Sequence, residues 1–412
     1  MRIIQINTVY DKGSVGRITA GLYDGIEKKG YHSFVAYGRG KRSPNSNHYK
    51  SGNLLDFSLH VLKNLFLDGS GFASKRTTKN LIKWIEERNP DIIHLHNLHG
   101  FYLNLELLFE FLKKSDIAIV WTLHDCWPLT GHCAFFDYVQ CEKWKEGCSR
   151  CVQYRSAYPY ALWKDNSEKN YINKKQIFTG VRNLTIVTPS RWLKELVEHS
   201  ILKEYPVKVI ANGIDLSSFS SKIKSGDGKS FTILGVANVW EKRKGLEFFD
   251  LLAESLPENY RIIVLGLSKK QQKKYQNKFP SNRLLPLTRT ESVDELASFY
   301  RQADVFVNPT LEDNFPTTNI EALACGTPVV TFRTGGSGEA LNQMTGLIVK
   351  KGDIVKLTEA IIKVCNSIKD NQAREDKTKR FSVPICRDRA SLFGQEKMFE
   401  EYLTLYKELQ CN

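Results

Sequence analysis

No stretch of the 412-residue sequence approaches the roughly 18 consecutive apolar residues of a membrane-spanning helix. The first residues, MRIIQINTVYDKG, become polar too early for a secretion signal and instead predict a first strand. Low-complexity tracts and fixed-period repeats are also lacking. With 42% hydrophobic and 25% charged residues, the composition is globular rather than disordered. We therefore expect a cytoplasmic globular protein, and its length favours two domains.

Acidic residues are the minority charge, with 45 Asp and Glu against 59 Lys and Arg, which gives a net charge of +14. Such a balance suits an acidic partner, and nucleic acid, anionic lipid and phosphorylated small molecules all qualify. A nucleic-acid interface would need a basic stripe interleaved with exposed aromatic side chains. Here the basic residues are scattered and the aromatic residues fall inside strand patterns, so we expect no nucleic-acid partner.

Short aliphatic runs alternate with helical stretches along most of the chain. The runs are continuous rather than alternating, which is typical of strands buried on both faces in a parallel sheet flanked by helices. The predicted strands are 2–7, 32–38, 90–96, 117–125, 184–190, 207–212, 231–238, 261–267, 303–309 and 327–332. A polar stretch at 220–230 interrupts this rhythm and predicts a linker or long loop.

These patterns predict an α/β protein of two doubly wound, Rossmann-like domains. The first domain is predicted at 1–212, with a cysteine-rich insert near 126–153, and the second at 213–385. The apolar periodicity of 386–412 predicts a C-terminal helix that packs back toward the first domain.

The segment 311–330, LEDNFPTTNIEALACGTPVV, predicts a helix that runs into a buried strand. Pro316 suits the first turn of a helix, because its φ is preset and it has no N–H to leave unbonded. Asn314 or Asp313 can cap the start. Gly326, with Pro328 two residues later, is predicted to end the helix.

The start of this predicted helix carries more polar residues than a core helix needs. The amides of Thr317 and Thr318 would be free to bind phosphate there. Glu321 lies four residues after Thr317 on the same helix face, about 6 Å further along the axis. A nucleoside-diphosphate sugar would place its ribose at Glu321 and its sugar near Asp313. The alternative is a capped helix with a solvated Glu321.

This segment resembles the nucleotide-sugar motif of the family 4 retaining glycosyltransferases, in which two glutamates flank seven other residues. Asp313 and Glu321 hold those positions here. Further resemblances follow in order: NTVYDKGSVGRI, DIIHLHNLHG, WTLHDCWPLTGHC, TPSRW, IANGID, KRKGLEFF and TGGSGEAL, over about residues 2 to 350. The segment WTLHDCWPLTGHC, with the cysteines after it, resembles most closely the transferases of bacterial capsule, exopolysaccharide and O-antigen assembly.

The resemblance implies the GT-B architecture, with a cleft between an acceptor-binding first domain and a second domain that binds a UDP- or GDP-sugar. It also implies retention of anomeric configuration, no requirement for a divalent metal, and a glycan or lipid-linked glycan acceptor. It places His124 beside the hydroxyls of the donor sugar. A buried histidine with satisfied hydrogen bonds is the alternative at that position.

Two further groups have a predicted role. Arg243 and Lys244 would neutralise the leaving diphosphate, with a solvated helix start as the alternative. The family more often has an arginine six residues before the lysine, where this chain has Asn238, and we expect Arg243 to substitute. Gly13, Gly16 and Arg17 are predicted in a turn near the sugar or an acceptor phosphate. An ordinary tight turn is the alternative there.

Histidines and cysteines raise the question of a metal. Strand alternation puts His94 and His96 on one face and leaves His99 in a loop, which favours a structural role or a wall of the acceptor site over a metal site. Cys133, Cys141, Cys148 and Cys151 end in a C-x2-C pair typical of zinc knuckles, so we predict a possible structural zinc. An insert with free or transiently bonded thiols is the alternative.

The stretch 54–69, LLDFSLHVLKNLFLDG, predicts a helix with an apolar face beside basic residues. Such a face suits peripheral contact with an anionic membrane, at the inner face of the cytoplasmic membrane, whereas a plain core helix is the alternative. Two other functions stay open at this point. A sugar-nucleotide epimerase or phosphorylase has the same architecture, and a basic, zinc-stabilised nucleic-acid-binding protein is a candidate from another class.

Overall fold

The structure is a computed structural model that describes residues 1–220, 230–279, 283–369 and 371–411. Its internal contacts divide the chain into two compact units, which are treated separately below. The first unit comprises Met1–Ala211 and Met398–Asn412, and the second comprises Asn212–Lys397. Residues 221–229, which make up almost all of the predicted linker, lie outside the described residues.

The first unit is built on a seven-stranded sheet in the order β3-β2-β1-β4-β5-β6-β7. Every neighbouring pair is parallel. The strands are β1 Arg2–Val9, β2 His32–Arg39, β3 His48–Lys50, β4 Ile92–Leu95, β5 Ala118–Thr122, β6 Leu184–Thr188 and β7 Val207–Val209. The order reverses between β1 and β4, the position where open α/β sheets bind their ligands.

Helices cover both faces of this sheet, so the central strands are continuous buried runs. The helices before the second unit are α1 Gly13–Lys28, α2 Leu54–Leu67, α3 Lys75–Glu86, α4 Leu105–Lys114, α5 Ser167–Phe178 and α6 Arg191–Glu198. Successive side chains of β1 point to opposite faces: Ile4 belongs to the core under α3 and α4, and Ile3 to the core that includes α1.

The C-terminal segment differs from the prediction of one helix over 386–412. A helix at Val383–Ala390 and a 3-10 turn at Ser391–Phe393 come first, and the last helix runs from Gln395 to Gln410. From Met398 onward that last helix packs on the first unit, where Phe399 and Tyr402 join the core around Ile3. The helix break at Gly394, which is followed by a new helix, explains the difference.

The second unit repeats the doubly wound pattern with six parallel strands in the order β10-β9-β8-β11-β12-β13. The strands are β8 Phe231–Val236, β9 Tyr260–Leu265, β10 Leu284–Leu287, β11 Val305–Asn308, β12 Val329–Phe332 and β13 Gly346–Val349. The helices are α7 Glu247–Ser255, α8 Lys269–Lys278, α9 Val293–Gln302, α10 Thr317–Ala324, α11 Ile354–Ser367, α12 Asn371–Glu375 and α13 Val383–Ala390, and Gln395–Gln410 is α14.

The sequence patterns missed three strands, β3, β10 and β13, and all three lie at the edges of their sheets. An edge strand is covered less completely, so it needs no continuous apolar run. In β13 the side chain of Ile348 is exposed, and β10 contains Pro286, which is tolerated at an edge because one side of the strand has no ladder to complete.

Helix α2 is inverted relative to an ordinary surface helix. Its buried side chains are the polar His60 and Asn64, whereas five of its six leucines are exposed. Leu54 is 80% exposed and Leu55 66% exposed. The prediction of a helix at 54–69 is therefore confirmed, and the alternative of a plain core helix is wrong for its leucines.

Candidate active site

The loop between β11 and α10 begins the candidate site in the second unit. Helix α10 starts at Thr317, and its N-cap residue, Pro316, makes no side-chain cap hydrogen bond. The predicted cap by Asp313 or Asn314 is therefore wrong. The side chain of Asp313 instead accepts a hydrogen bond from the Asn314 amide at 3.0 Å, which keeps both residues in the preceding loop.

Glu321 and Thr317 share one face of α10, as their spacing predicted. The Thr317 hydroxyl lies 3.3 Å from Oε1 of Glu321. The Tyr300 hydroxyl, from α9, donates to the other carboxylate oxygen at 3.0 Å. Glu321 is 4% exposed, so it is not the solvated glutamate of the alternative. A buried carboxylate held by two hydroxyls is positioned to accept hydrogen bonds from further hydroxyl groups.

Lys244 and Asp313 form an ion pair of 2.5 Å across the loops that follow β8 and β11. These two strands are neighbours where the strand order of the second sheet reverses. Open α/β sheets bind their ligands at this point. The close approach depends on Gly245, whose φ is +73° and whose Cβ, if present, would lie 2.0 Å from the Pro309 carbonyl oxygen.

Arg243 is held against the same loop by its backbone and its side chain. Its carbonyl accepts from the Leu311 amide at 2.7 Å, and its guanidinium donates to the Glu312 carbonyl at 3.3 Å and to the Glu241 carboxylate at 2.9 Å. Arg243 and Lys244 belong to a 3-10 turn, Lys242–Lys244. The structure thus brings both predicted cations to the loop that carries Asp313.

The glycine-rich loop after β12 forms a third side of the site. Gly335 has a φ of +49°, and a Cβ there would lie 1.8 Å from the Asp313 carbonyl oxygen. The Gly336 amide donates to that same oxygen at 3.2 Å. The Thr334 hydroxyl donates to the Leu311 carbonyl at 2.9 Å. The segment TGGSG therefore holds the backbone of the loop that carries Asp313. The residue spacing in the sequence did not predict this role.

Three residues that the sequence analysis did not single out support α10 or add charge. Oδ1 of Asn319 accepts from the side-chain Nδ2 of Asn308 at 2.9 Å, and its Nδ2 donates to the Ser337 carbonyl at 2.7 Å, which ties α10 to β11 and to the glycine-rich loop. Tyr300 orients Glu321. Arg289 donates to the carbonyl of Asn238 at 2.8 and 3.1 Å. The guanidinium of Arg289 therefore lies beside Asn238, the position at which the resembled family more often has an arginine.

In the first unit, the predicted turn with Gly13, Gly16 and Arg17 is already helical. Helix α1 begins at Gly13, with Lys12 as its N-cap residue and no side-chain cap. The Asp11 amide donates to the Gly16 carbonyl at 3.0 Å, which folds the preceding loop onto the first turn. Arg17 is exposed on this turn. The prediction of a turn is therefore wrong, and these residues lie at the start of α1, whose N-cap residue makes no side-chain cap hydrogen bond.

His124 lies just beyond the carboxyl end of β5, half-buried, with its Nε2 3.1 Å from Nδ1 of His96. Burial lowers the pKa of His124 to about 4, so the ring is neutral at pH 7. The next residue, Asp125, binds Nε2 of His99 at 2.7 Å. His96 and His99 of DIIHLHNLHG thus contact residues that follow β5.

His94 and His96 lie side by side, with ring centroids 4.0 Å apart, as strand alternation predicted. Nδ1 of His94 is 2.7 Å from the Tyr406 hydroxyl and Nε2 is 2.7 Å from the Thr122 hydroxyl. Thr122 in turn is 2.9 Å from the Tyr402 hydroxyl. His94 therefore has the predicted structural role, because it joins α14 to the sheet.

The four predicted zinc ligands are thiols without disulfides in the insert that precedes α5. Burial raises the pKa of Cys148 to about 11. A hydrogen bond from Cys133 lowers the pKa of Cys151 to about 7. Within the described residues, no group of three or more His, Cys, Asp and Glu side chains could hold a metal ion. Zinc binding by these four cysteines stays a prediction, which metal analysis of the purified protein would test.

Two sequence families match the chain. The family described as Glycosyltransferase Family 4 matches residues 15–218, and the family described as Glycosyl transferases group 1 matches residues 230–367. The first match lies mainly in the first unit and the second lies in the second unit. In the described part of the chain, no helix combines the length and the apolar character needed to cross a membrane.

Relatives and solved structures agree with these family matches. A protein named as a colanic acid biosynthesis glycosyl transferase, WcaC of Escherichia coli (strain K12), is 25% identical over 442 aligned positions, covering 99% of this chain and 100% of the relative. The UDP-Gal:alpha-D-GlcNAc-diphosphoundecaprenol alpha-1,3-galactosyltransferase of Escherichia coli is 23% identical and covers 50% of this chain and 55% of its own.

Two solved structures cover nearly the whole chain. Sucrose-phosphate synthase of Thermosynechococcus elongatus superposes with a TM-score of 0.70 at 16% identity, over 99% of both chains. Anabaena Alr3699/HepE in complex with UDP-glucose superposes with a TM-score of 0.63 at 14% identity, over 99% of this chain and 100% of that one. These likenesses and the two doubly wound sheets confirm the predicted GT-B fold. The chain belongs to glycosyltransferase family 4 and is a glycosyltransferase.

Proposed function

We propose that this enzyme transfers a sugar, with retention of anomeric configuration, from a nucleoside-diphosphate sugar to a growing, lipid-linked surface polysaccharide. The observation that carries the proposal is the Lys244–Asp313 ion pair beside the uncapped start of α10, with buried Glu321 one turn further along. The names of the relatives point the same way, since one refers to colanic acid biosynthesis and another to a diphosphoundecaprenol acceptor.

The donor diphosphate would lie at the N-terminus of α10. Helix dipoles and free first-turn amides favour anions, and here those amides belong to Thr317 and Thr318. Lys244 and Arg243 would add positive charge as the diphosphate leaves. The Asn314 side chain is buried in the same loop, at the edge of this anion site. UDP or GDP is the expected nucleotide, and HepE in complex with UDP-glucose supports this type of donor.

The ribose and the transferred sugar of the donor would together meet three polar side chains. Glu321 would accept hydrogen bonds from the ribose, because Tyr300 and Thr317 already orient its carboxylate. Asp313 would contact the transferred sugar, while Lys244 bridges it to the diphosphate. A lysine ammonium has three donors, so it can bind Asp313 and a phosphoryl oxygen together. His124, neutral at pH 7, would contact a hydroxyl of the same sugar.

Retention would proceed without a covalent intermediate. The sequence supplies no well-supported nucleophile, so we propose that the acceptor attacks on the face that the diphosphate leaves. The leaving phosphate would take the acceptor proton as an oxocarbenium-like sugar forms. Lys244, Arg243 and the start of α10 would stabilise the charge that develops on the diphosphate, so that no divalent metal is required.

The acceptor would bind the first unit, where the start of α1 offers amides at Gly13 and Gly16 and the cation of Arg17. Helix α2 would hold this unit to an anionic membrane at the cytoplasmic face. Leu55 and Leu59 project from one side of α2, and the exposed Trp163 packs on Phe66 with ring centroids 4.8 Å apart. Exposed Lys63 and Lys164 could contact anionic headgroups.

A thermal-shift panel of UDP-, GDP- and ADP-sugars, followed by product analysis with the stabilising donor, tests the proposal. We expect one donor to raise Tm in the presence of EDTA, and the product to keep the donor's anomeric configuration. A product formed without an acceptor, or a requirement for free phosphate, would instead indicate an epimerase or a phosphorylase. Salt-dependent binding to DNA or RNA, without any affinity for nucleoside diphosphates, would reject the glycosyltransferase mechanism proposed for this site.

A further inference from the structure

A chain of three hydrogen bonds, the first two of them buried, leads from helix α1 to His124. Gln5 on β1 donates from Nε2 to the Thr19 carbonyl oxygen at 3.2 Å. The other amide atom of Gln5, Oε1, is 3.2 Å from Nε2 of His96. Nδ1 of His96 is 3.1 Å from Nε2 of His124. Gln5, Thr19 and His96 are each no more than 1% exposed, so water does not compete for the first two bonds.

The first hydrogen bond, from Gln5 to the Thr19 carbonyl, decides which atom donates and which accepts in the two bonds that follow. A backbone carbonyl can only accept, so the Gln5 NH2 group must face Thr19, and Oε1 must face His96. Oε1 in turn can only accept, so His96 carries its proton on Nε2. The ring of His96 is neutral, because burial lowers its pKa well below the ordinary value. Its Nδ1 is therefore an acceptor, and the proton between the two imidazoles belongs to Nε2 of His124.

The hydrogen bonds of the neighbouring His94 do not fix its tautomer, in contrast to those of His96. Its two nitrogens contact the hydroxyls of Tyr406 and Thr122. A hydroxyl can donate or accept, so those contacts leave the tautomer of His94 undetermined. In contrast, the chain through His96 starts at a carbonyl and has one allowed direction. His96 is also held in place by its backbone, since its amide donates to the Ile6 carbonyl and its carbonyl accepts from Trp121 Nε1.

We propose that Gln5 and His96 are positioning residues that keep the proton of His124 on Nε2, so that His124 offers its Nδ1 lone pair to a hydroxyl group of the substrate. A neutral histidine can accept or donate at a given nitrogen, and the second bond of the ring decides which. With Nδ1 as acceptor, His124 binds a hydroxyl through its proton and has no proton to offer to a group that can only accept. This role of His124 rests on the proposed nucleotide-sugar function, whereas its tautomer does not.

The tautomer is measured directly by long-range 1H–15N NMR of protein labelled with 15N-histidine, without any substrate. Spectra of His124→Asn and His96→Asn assign the two rings by the signals that they lose. At pH 7.5 we expect His124 to show a protonated Nε2 and an unprotonated Nδ1. A proton on Nδ1 of His124 in the wild-type protein would overturn the proposal.

We expect the substitution Gln5→Glu to reverse the direction of hydrogen-bond donation between His96 and His124. A carboxylate at position 5 stabilises His96 as the imidazolium, which then donates from both nitrogens. Nε2 of His124 must become the acceptor, and its proton moves to Nδ1. An unchanged His124 tautomer in a folded Gln5→Glu protein whose His96 is the imidazolium by the same NMR would contradict the proposal. If that variant does not fold or leaves His96 neutral, Gln5→Met serves instead, because it removes the acceptor for His96 and should give His124 a mixture of tautomers. Wild-type shifts for His124 in Gln5→Met would equally contradict it.

Kinetics then connect the tautomer to the substrate. With the donor identified by the thermal-shift panel, we expect the tautomer-shifted variant to lose about two- to tenfold in kcat/KM, the cost of one substrate hydrogen bond. Thr185→Val, a buried polar position on β6, is the matched control and should keep the wild-type tautomer and kcat/KM. A shifted tautomer with wild-type kcat/KM would overturn the substrate part of the proposal. Failure to bind any nucleotide sugar would reject the proposed function, while the NMR result would still decide the tautomer.

Discussion

The hydroxyl of Tyr300 donates a 3.0 Å hydrogen bond to Oε2 of Glu321, from the helix that precedes β11 to the helix that follows it. Both side chains are buried, Tyr300 completely. The bond leaves the carboxylate with a defined orientation before any ligand arrives. If Glu321 binds the ribose, Tyr300 acts on donor affinity without touching the donor.

Tyr300→Phe should therefore weaken donor binding while leaving the chemical step largely intact. Loss of one hydrogen bond costs about 0.5–1.5 kcal/mol, equivalent to a roughly two- to tenfold decrease in kcat/KM. We expect most of this decrease to come from a higher KM, measured by steady-state kinetics with the identified donor. Tyr260→Phe, at a buried tyrosine on β9, is the control. A tenfold fall in kcat with an unchanged KM would argue against an orienting role.

Glu321→Ala should cut turnover by at least about tenfold, some 1.4 kcal/mol, because the ribose loses its carboxylate. Glu321→Gln keeps the shape of the side chain and one acceptor oxygen, so we expect a smaller loss. Both variants are compared with Glu254→Ala, an exposed glutamate of α7. A Glu321→Ala enzyme with nearly native kinetics would remove the ribose role.

Lys244→Met should lower kcat by about 100-fold, since removal of one preorganised charge in a closed site costs about 2.7 kcal/mol or more. Lys242→Met, in the same 3-10 turn but exposed, should have little effect. Asp313→Ala should also reduce kcat, because Lys244 then loses the 2.5 Å partner that positions it. Full activity of both Asp313→Ala and Asp313→Glu would exclude Asp313 from the site.

The protein should lose stability as the pH falls from 6.5 toward 4. Burial lowers the pKa of His60 to about 4 and that of His124 to about 4, so each takes up its proton more readily when the chain is unfolded. The stabilisation is present above the unfolded pKa near 6.5 and is lost through this window. For His60 it amounts to about 3 kcal/mol.

Urea unfolding at several pH values measures this effect. The free energy of unfolding of His60→Gln should fall less steeply below pH 6.5 than that of the wild type, whatever its absolute value at pH 8. His32→Gln, at an exposed histidine, is the control. Equal slopes for His60→Gln and the wild type would show that His60 does not titrate in this range.

Vesicle binding tests the apolar face of α2. Leu55→Ser with Leu59→Ser should reduce binding to phosphatidylglycerol vesicles by at least tenfold, because each leucine buried in a membrane contributes about 1.5–3 kcal/mol. Leu251→Ser, at an exposed leucine of α7, is the matched control. Unchanged sedimentation of the double variant with anionic vesicles, or no binding by the wild type, would reject membrane contact through α2.

Strong local patterns predicted much of this molecule. The central strands are continuous apolar runs, so most of both parallel sheets followed from the sequence, whereas the edge strands β3, β10 and β13 did not. The Thr317–Glu321 pair was predictable because helix periodicity brings residues four apart onto one face. The absence of a cap on α10 was not, because Asp313 and Asn314 can each serve as caps in other contexts.

The amino-acid sequence by itself determined the two doubly wound units, the helix that begins at Thr317, and the family to which the chain belongs. Only the tertiary structure decided which charges and protons meet. Lys244 reaches Asp313 across 69 residues, and Gln5 contacts His96 across 91. Such pairs depend on strand order and register, and these arise from packing of the whole chain rather than from any local run. Packing also turned the leucines of α2 outward and its histidine inward.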